Sequence, residues 1–230
     1  MVVRSKSAAF YNTRATKSLA FDPTCRDCPR LARHLDRIGR EYPEYHARPV
    51  AAFGPERAGL LVVGLAPGLH GANRTGRPFT GDHAGILLYK TLHQYGFASH
   101  EGSADPRDDL ELIGCRVTNA VKCLPPQNMP QPEEVRRCNH YLAEEIASVR
   151  PRAILALGAI AHQAVLMAFE LKPGRHRFAH RAVHELAAAS PATRLFDSYH
   201  CSRYNTQTKR LTEAMFQAVF RDIVAELQPR

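Results

Sequence analysis

Residues 60–85 read LLVVGLAPGLHGANRTGRPFTGDHAG, an apolar run followed at once by a glycine-rich loop. The run from Leu60 to Val63 has the length and composition of a buried strand. The loop from residue 64 to residue 85 holds six of the fourteen glycines in the chain. Glycine allows unusual backbone angles and close approach to other groups. This stretch therefore predicts a buried strand whose carboxyl end opens onto a tightly packed loop.

Three further apolar runs, at 114–121, 153–157 and 194–199, repeat the order of strand, loop and helix. The helices are predicted at about 84–95, 132–148, 159–169 and 211–227. Such units indicate a three-layer α/β/α sandwich around a four-stranded, mostly parallel sheet. Ligands bind such sheets in the loops after the strands. We therefore expect the loops at 67–82, 119–128, 158 and 200–205 to converge on one site.

The chain of 230 residues carries a formal charge of +9 that is spread along the sequence. This excess suits a polyanionic partner such as a nucleic acid. No apolar stretch is long enough for a membrane helix, and no secretory signal opens the chain, so a cytoplasmic protein is expected. Residues 1–20 are predicted to be a flexible extension, and residues 21–230 to form a single domain.

The six cysteines of a cytoplasmic chain are not expected to form a disulfide framework. Cys115 opens an apolar strand and is predicted to be a core residue. Cys25 and Cys28 form a C-x-x-C pair, and Cys123 and Cys138 lie beside a loop and early on a helix. These four thiolates are candidate ligands of zinc or of a 4Fe-4S cluster, and their spacing does not separate the two.

The glycine-rich loop is neither a P-loop, because it lacks G-K-[ST], nor a regular G-x-G-x-x-G dinucleotide loop. The segments GLAPG and GANRTGRPFTGD instead resemble the first motif of the family 5 (type B) uracil-DNA glycosylases. VTNAVKCLPPQN and SYHCSRYNTQT resemble later motifs of that family in the same order. The cysteine pattern is similar to its 4Fe-4S ligands, and the likeness extends from Cys25 to the closing helix.

This resemblance implies a small α/β/α fold with a four-stranded parallel sheet. It also implies a bacterial base-excision-repair enzyme that flips uracil, and other deaminated bases such as hypoxanthine, out of DNA and hydrolyses the glycosidic bond. A structural 4Fe-4S cluster held by Cys25, Cys28, Cys123 and Cys138 is implied. The enzyme is expected to be a cytoplasmic monomer associated with the nucleoid through DNA.

Two side chains are the catalytic candidates. Related families have an acid just after the first strand, where this chain has Leu65, and the resemblance makes Asp82 the substitute. Asp82 would orient water and stabilise the sugar cation, although an aspartate just before a helix is also a favoured N-cap. His200, after the fourth strand, would donate to the departing uracil anion.

The remaining candidates bind the base or the DNA. Phe79 would stack on the base, and the amide of Asn119 matches the donor and acceptor pattern of uracil. The predicted substrate-binding residues are Gly64, Ala66, Gly68, Leu69, His70, Phe79 and Asn119, with the backbone of residues 64–71 close to the flipped nucleotide. The predicted DNA-binding residues are Arg74, Arg77, Ser202, Arg203, Tyr204 and Asn205. The residue that fills the gap left by the base is Cys201, Arg203 or Tyr204.

Two other classes of function compete with this interpretation. One is a metal-stabilised nucleic-acid-binding module without catalysis. The other is a small iron–sulfur electron carrier, which is disfavoured because most of the chain lies outside a single four-cysteine site.

Overall fold

The computed structural model describes residues 21–186 and 192–228, so the predicted extension at 1–20 lies outside the described residues. The strands are β1 (Leu60–Gly64), β2 (Cys115–Asn119), β3 (Ala153–Leu157), β4 (Val183–Leu186) and β5 (Thr193–Ser198). The helices are α1 (Pro29–Glu41), α2 (Ala72–Thr75), α3 (His83–Gln94), α4 (Pro132–Val149), α5 (Ala159–Ala168), α6 (Arg203–Gln207) and α7 (Glu213–Leu227). None of the helices in these ranges is long and apolar enough to cross a bilayer.

The strands form one sheet in the order β2-β1-β3-β5-β4. The first four are parallel to one another, and β4 pairs antiparallel with β5 at the edge. The predicted four-stranded parallel core is therefore present, but the sheet has a fifth strand. Its sequence, VHEL, buries only Leu186. It lacks the continuous apolar run by which the other strands are recognised.

The four strands alternate their side chains between two cores, one on each face of the sheet. Leu60, Val62 and Leu155 face the core that α3 and α7 cover. The intervening residues, including Leu61 and Ile154, face the core that α4 and α5 cover. This is the predicted three-layer sandwich, with the expected burial of Cys115.

The parallel strands place their carboxyl ends at one edge of the sheet. In the register, Gly64 of β1 pairs with Asn119 of β2. Ser198 of β5 pairs with Leu157 of β3. The loops after these strands therefore leave the sheet side by side. The short helices α2 and α6 lie within two of these loops and were not predicted.

Candidate active site and cysteine cluster

The loops after β1, β2 and β5 enclose a cavity of about 430 Å³ at this edge of the sheet. Its lining consists of Leu65, Ala66, Gly68, Ala72, Phe79, Asp82, His83, Ala84, Asn119, Asn128, His200, Ser202 and Arg203. Both catalytic candidates are among them. The single residue expected from the loop after β3, Gly158, is not.

Asp82 is the N-cap of α3, as its sequence position suggested. The cap uses one carboxylate oxygen and leaves the other facing the loop. Its Oδ1 accepts a hydrogen bond of 3.0 Å from the backbone N–H of Gly85. Its Oδ2 faces the loop, where a Cβ on Gly68 would lie 3.5 Å away. Burial raises the pKa of Asp82, and the backbone N–H groups of Gly85 and Ala84 partly offset that shift.

His200 lies beside Phe79, with ring centroids 6.1 Å apart and planes inclined by 27°. Burial lowers the pKa of His200 to about 4, so its imidazole is neutral at neutral pH. Within residues 21–186 and 192–228, no side chain or backbone group bonds to its ring nitrogens. The amide of Asn205 donates to the backbone oxygen of His200 over 2.8 Å. Asn205, a predicted DNA contact, therefore helps to hold the loop that carries His200 in place.

The glycines of the first loop make room for the side chains of the site itself. A Cβ on Gly64 would collide with the amide oxygen of Asn119 and would stand 2.5 Å from the ring of Phe79. A Cβ on Gly71 would collide with the carboxylate of Asp82. The close approach that the glycines permit is thus to protein side chains. The predicted packing of the backbone of residues 64–71 around a nucleotide applies only to the part that lines the cavity, such as Gly68.

Phe79 is held in a left-handed backbone conformation, with φ of 56°. Its carbonyl oxygen lies so close to Gly85 that a Cβ there would overlap it. Asn119 is 4% exposed, and no described side chain or backbone group bonds to its amide. A flat ring and an uncommitted amide therefore face one cavity.

Among the predicted contacts, Arg77, Leu69 and His70 are engaged with other parts of the protein. Arg77 is 7% exposed, and both of its terminal nitrogens donate to Asp108 over 2.7 Å. This pairing does not support the predicted phosphate contact. Leu69 packs in a separate apolar cluster near α1, and His70 Nδ1 lies 2.8 Å from the hydroxyl of Tyr45.

The remaining DNA-binding candidates are at least partly exposed. Arg74 and Arg203 line a neighbouring groove of about 440 Å³ with His83 and Ile86. Ser202 caps α6. Tyr204 is 70% exposed on α6, whereas Cys201 is completely buried. Burial removes Cys201 from the three candidates for insertion into DNA.

Asn128 lines the cavity but was not anticipated from the sequence. It follows Gln127 in the segment CLPPQN, and both residues have positive φ, 56° and 57° respectively. Asparagine adopts this conformation more readily than most residues. Consecutive left-handed residues after two prolines turn the chain back toward the site, and propensities alone did not reveal that turn.

The four candidate cysteine ligands, Cys25, Cys28, Cys123 and Cys138, line a second small cavity. Cys28 precedes α1 and Cys138 lies on α4, so the cluster joins the amino-terminal segment to the loop after β2. Burial and the neighbouring Cys138 raise the pKa of Cys28 to about 11. The backbone N–H of Lys122 donates to the sulfur of Cys138 over 3.3 Å.

The chemistry of these four donors bears on the group they fit. Cysteine thiolates are ligands of both zinc and iron–sulfur clusters. The donor set therefore fits either group.

Known proteins resemble this chain over most of its length. Residues 51–224 match the sequence profile of the uracil DNA glycosylase superfamily. A type-5 uracil-DNA glycosylase of Thermus thermophilus is 46% identical over 201 residues, which cover 85% of this chain and 90% of that protein. One of Pyrobaculum aerophilum is 40% identical over 206 residues, 88% of each chain. A type-4 uracil-DNA glycosylase of Archaeoglobus fulgidus is 36% identical over 124 residues, covering 54% of this chain and 55% of that protein.

The chain belongs to the uracil DNA glycosylase superfamily, and within it to the type-5 group. The resemblance read from the motifs is thereby confirmed.

Proposed function

We propose that this chain hydrolyses the N-glycosidic bond of uracil in DNA and so initiates base excision repair. The observation that carries the proposal is the cavity itself, in which a free amide, a neutral imidazole and a buried carboxylate meet. Cleavage of the bond leaves positive charge on the sugar and negative charge on the base. Groups placed in advance near both charges lower the barrier.

Asn119 and Phe79 would hold the base. The Asn119 amide can donate to O4 of uracil and accept from N3–H, and cytosine presents the reverse polarity at both positions. A bidentate match of this kind contributes roughly 1–3 kcal/mol of discrimination. The ring of Phe79 offers an apolar face beside the amide, and Gly64 beneath them leaves the required space.

His200 would donate to the departing uracil anion as a neutral imidazole, because its pKa of about 4 keeps it unprotonated at neutral pH. Asp82 would act on the sugar side. With Oδ1 committed to the helix cap, Oδ2 is the oxygen available to orient a water molecule and to stabilise the cation. Leu65 also lines the cavity, but its apolar side chain can take neither of these roles.

The base must leave the stack to reach this cavity. Arg203 and Arg74, which border it, would bind phosphates. Tyr204, an exposed aromatic residue four positions after His200, would fill the gap that the flipped base leaves in the duplex. The enzyme would act as a monomer on nucleoid DNA, with hypoxanthine and other deaminated bases as slower substrates. No lysine is assigned to the chemistry, so hydrolysis leaves the strand intact.

The cysteine cluster would hold a structural 4Fe-4S cluster. Two observations support it: the four cysteines line one small cavity, and their pattern in the sequence resembles that of the cluster ligands of family 5 glycosylases. The cluster would tie residues 25–28 to the loop after β2 and to α4, which are far apart in sequence. The N–H of Lys122 on the Cys138 sulfur would stabilise the thiolate.

The activity is tested with oligonucleotides that carry U, hypoxanthine, xanthine or T, scored for alkali-sensitive abasic sites. Uracil should be excised fastest, and the strand should break only after alkali. Material purified in the same way from cells that lack the gene is the control for contaminating activity. Binding to these oligonucleotides without abasic sites would favour the non-catalytic module.

The cofactor is tested on protein purified without oxygen. It should be brown, absorb broadly near about 400 nm and contain about four irons per chain. Cys25→Ala should lower the iron content and the stability, whereas Cys201→Ala, which also removes a thiol, should keep the iron. A colourless, fully active protein with one zinc ion would contradict the assignment.

A further inference from the structure

A second group of metal-ligating side chains lies away from both sites. His162 of α5, His184 of β4 and Asp197 of β5 form what we term the edge cluster. Their ligand atoms all lie within 4.8 Å of one another. None of the three lines the active-site cavity or the cysteine cavity. The proposed glycosylase chemistry uses none of them.

Both histidines lie within hydrogen-bonding distance of the same carboxylate. His162 Nδ1 lies 2.8 Å from Asp197 Oδ1, and His184 Nε2 lies 3.1 Å from Asp197 Oδ2. Asp197 is completely buried and His162 is 1% exposed. A buried carboxylate between two imidazole nitrogens is costly unless a positive charge accompanies it.

The hydrogen-bond partner of the second ring nitrogen of His162 indicates where the positive charge is needed. Its Nε2 lies 2.9 Å from the backbone oxygen of His176. A carbonyl oxygen only accepts, so Nε2 carries the hydrogen. In a neutral imidazole Nδ1 then presents a lone pair, directed at a carboxylate oxygen 2.8 Å away. Two acceptors that close repel each other unless a proton on Nδ1 or a metal ion bound to both atoms supplies the positive charge.

We propose that the edge cluster binds a divalent transition-metal ion, with His162 Nδ1, His184 Nε2 and Asp197 as its protein ligands. A metal-bound histidine usually donates its other ring N–H to a backbone carbonyl or a carboxylate, as His162 does to His176. Two imidazoles and one carboxylate suit Zn²⁺, whereas Mg²⁺ and Ca²⁺ prefer oxygen ligands alone. A water molecule would complete the tetrahedron.

The ion would fasten the edge of the sheet. β4 has little apolar side chain to bury, since only Leu186 of its four residues is buried. A metal held by β4, β5 and α5 supplies the attachment that this sequence lacks. Asp197 lies three residues before His200 on the same segment, so the ion would also steady the strand that carries the catalytic loop.

The test uses the full chain with its cysteine-bound iron, treated with a mild chelator and then titrated with ZnCl₂. Zinc and iron are counted after gel filtration, and the affinity is measured by calorimetry. The wild type should take up about one zinc without losing iron, and its melting temperature should rise. His184→Ala should weaken zinc binding by about 100-fold or more. His93→Ala, an exposed histidine on α3, is the matched control and should bind as the wild type does.

Two results would overturn the proposal. One is a wild type that takes up no zinc while its iron is intact, because the edge cluster would then hold only a proton. The other is equal zinc binding by the wild type and His184→Ala. If His184→Ala does not fold, His184→Gln replaces it, since that residue is partly accessible at the sheet edge and glutamine preserves its bulk. Zinc that displaces iron is recognised by loss of the cluster absorbance and counts against the site.

Discussion

The loop after β1 and the loop after β5 both reach the pocket, but their side chains have different partners. In the first loop, residues 64–85, the polar side chains bond mostly to the protein: Asp82 caps a helix and Arg77 pairs with Asp108. In the second loop, residues 200–207, Arg203 and Tyr204 face outward. The first loop therefore fixes geometry, whereas the second leaves side chains exposed, which suits the DNA contact that we propose for it. Substitutions in the two loops should fail in different ways.

The largest effect is expected for Asp82→Asn in the first loop. Asparagine caps helices as well as aspartate does, so α3 should be preserved while the charge is lost. Single-turnover excision of uracil should fall by about 100-fold or more. The pKa of the folded-state carboxyl is raised, so its charged form is disfavoured by folding at neutral pH. The variant should accordingly be at least as stable as the wild type at pH 7, and this advantage should shrink as the pH falls through the pKa range of the carboxyl.

Asp82→Ala is the companion variant, since it removes both cap and charge. It should lose the same activity and, in addition, about 1 kcal/mol of stability at acid pH, where only the cap differs. Normal excision by Asp82→Asn would show that Asp82 is a cap alone.

A second large effect, also on the order of 100-fold in single-turnover rate, is expected for His200→Gln. Because the pKa of His200 is about 4, its charge does not change between pH 6 and 8. The wild-type rate should therefore show no step from His200 near the ordinary histidine pKa of about 6.5. His83→Gln, another histidine of the lining, is the control. A histidine-like step that His200→Gln abolishes would contradict the neutral-imidazole role.

An intermediate effect is expected for Asn119→Ala, at the end of β2 between the two loops. Uracil excision should fall about tenfold, by loss of the bidentate contact. Hypoxanthine excision should fall less, because its ring presents a different edge to the amide. Asn128→Ala, the other asparagine of the lining, should not shift the ratio between the two bases. Equal losses on both bases would mean that Asn119 supports the common chemistry or the loop.

The difference between the loops also explains which features of the fold and the site could be predicted from the sequence. Parallel strands and helix starts follow from apolar runs and caps, which are local patterns. Asn119 and His200 stand at or just after the ends of strands, and Asp82 stands immediately before a helix. The sequence did not show which partners the long side chains contact in the folded protein. Arg74 and Arg77 are three residues apart in one loop, yet only Arg77 turns inward, because Asp108 lies within reach of it in space and not in sequence.

The fifth strand and Asn128 were missed for a related reason. β4 is recognised only by its pairing with β5, and Asn128 by two consecutive left-handed residues. The purpose of the glycines was likewise hidden, since a Cβ at Gly64 meets Asn119 and Phe79, neither of which is a sequence neighbour. Contacts of this kind depend on the assembled sheet.

The smallest effects on catalysis are expected for Arg203→Ala and Arg77→Ala. The salt dependence of DNA affinity should distinguish the two loops that carry these arginines. Arg203→Ala should weaken binding to duplex DNA several-fold and reduce the slope of log affinity against log salt by about one, because one phosphate contact is lost. Arg77→Ala should leave that slope unchanged and instead lower stability by about 1–3 kcal/mol, because the Asp108 carboxylate loses its partner. The measurements are binding to an abasic-site duplex at several salt concentrations and denaturant unfolding. Both variants remove one positive charge, so the net-charge change is the same and only its position differs.

If Arg77→Ala lowered the slope and kept its stability, the first loop would also bind DNA, and the division between a loop that fixes geometry and a loop that meets DNA would fail.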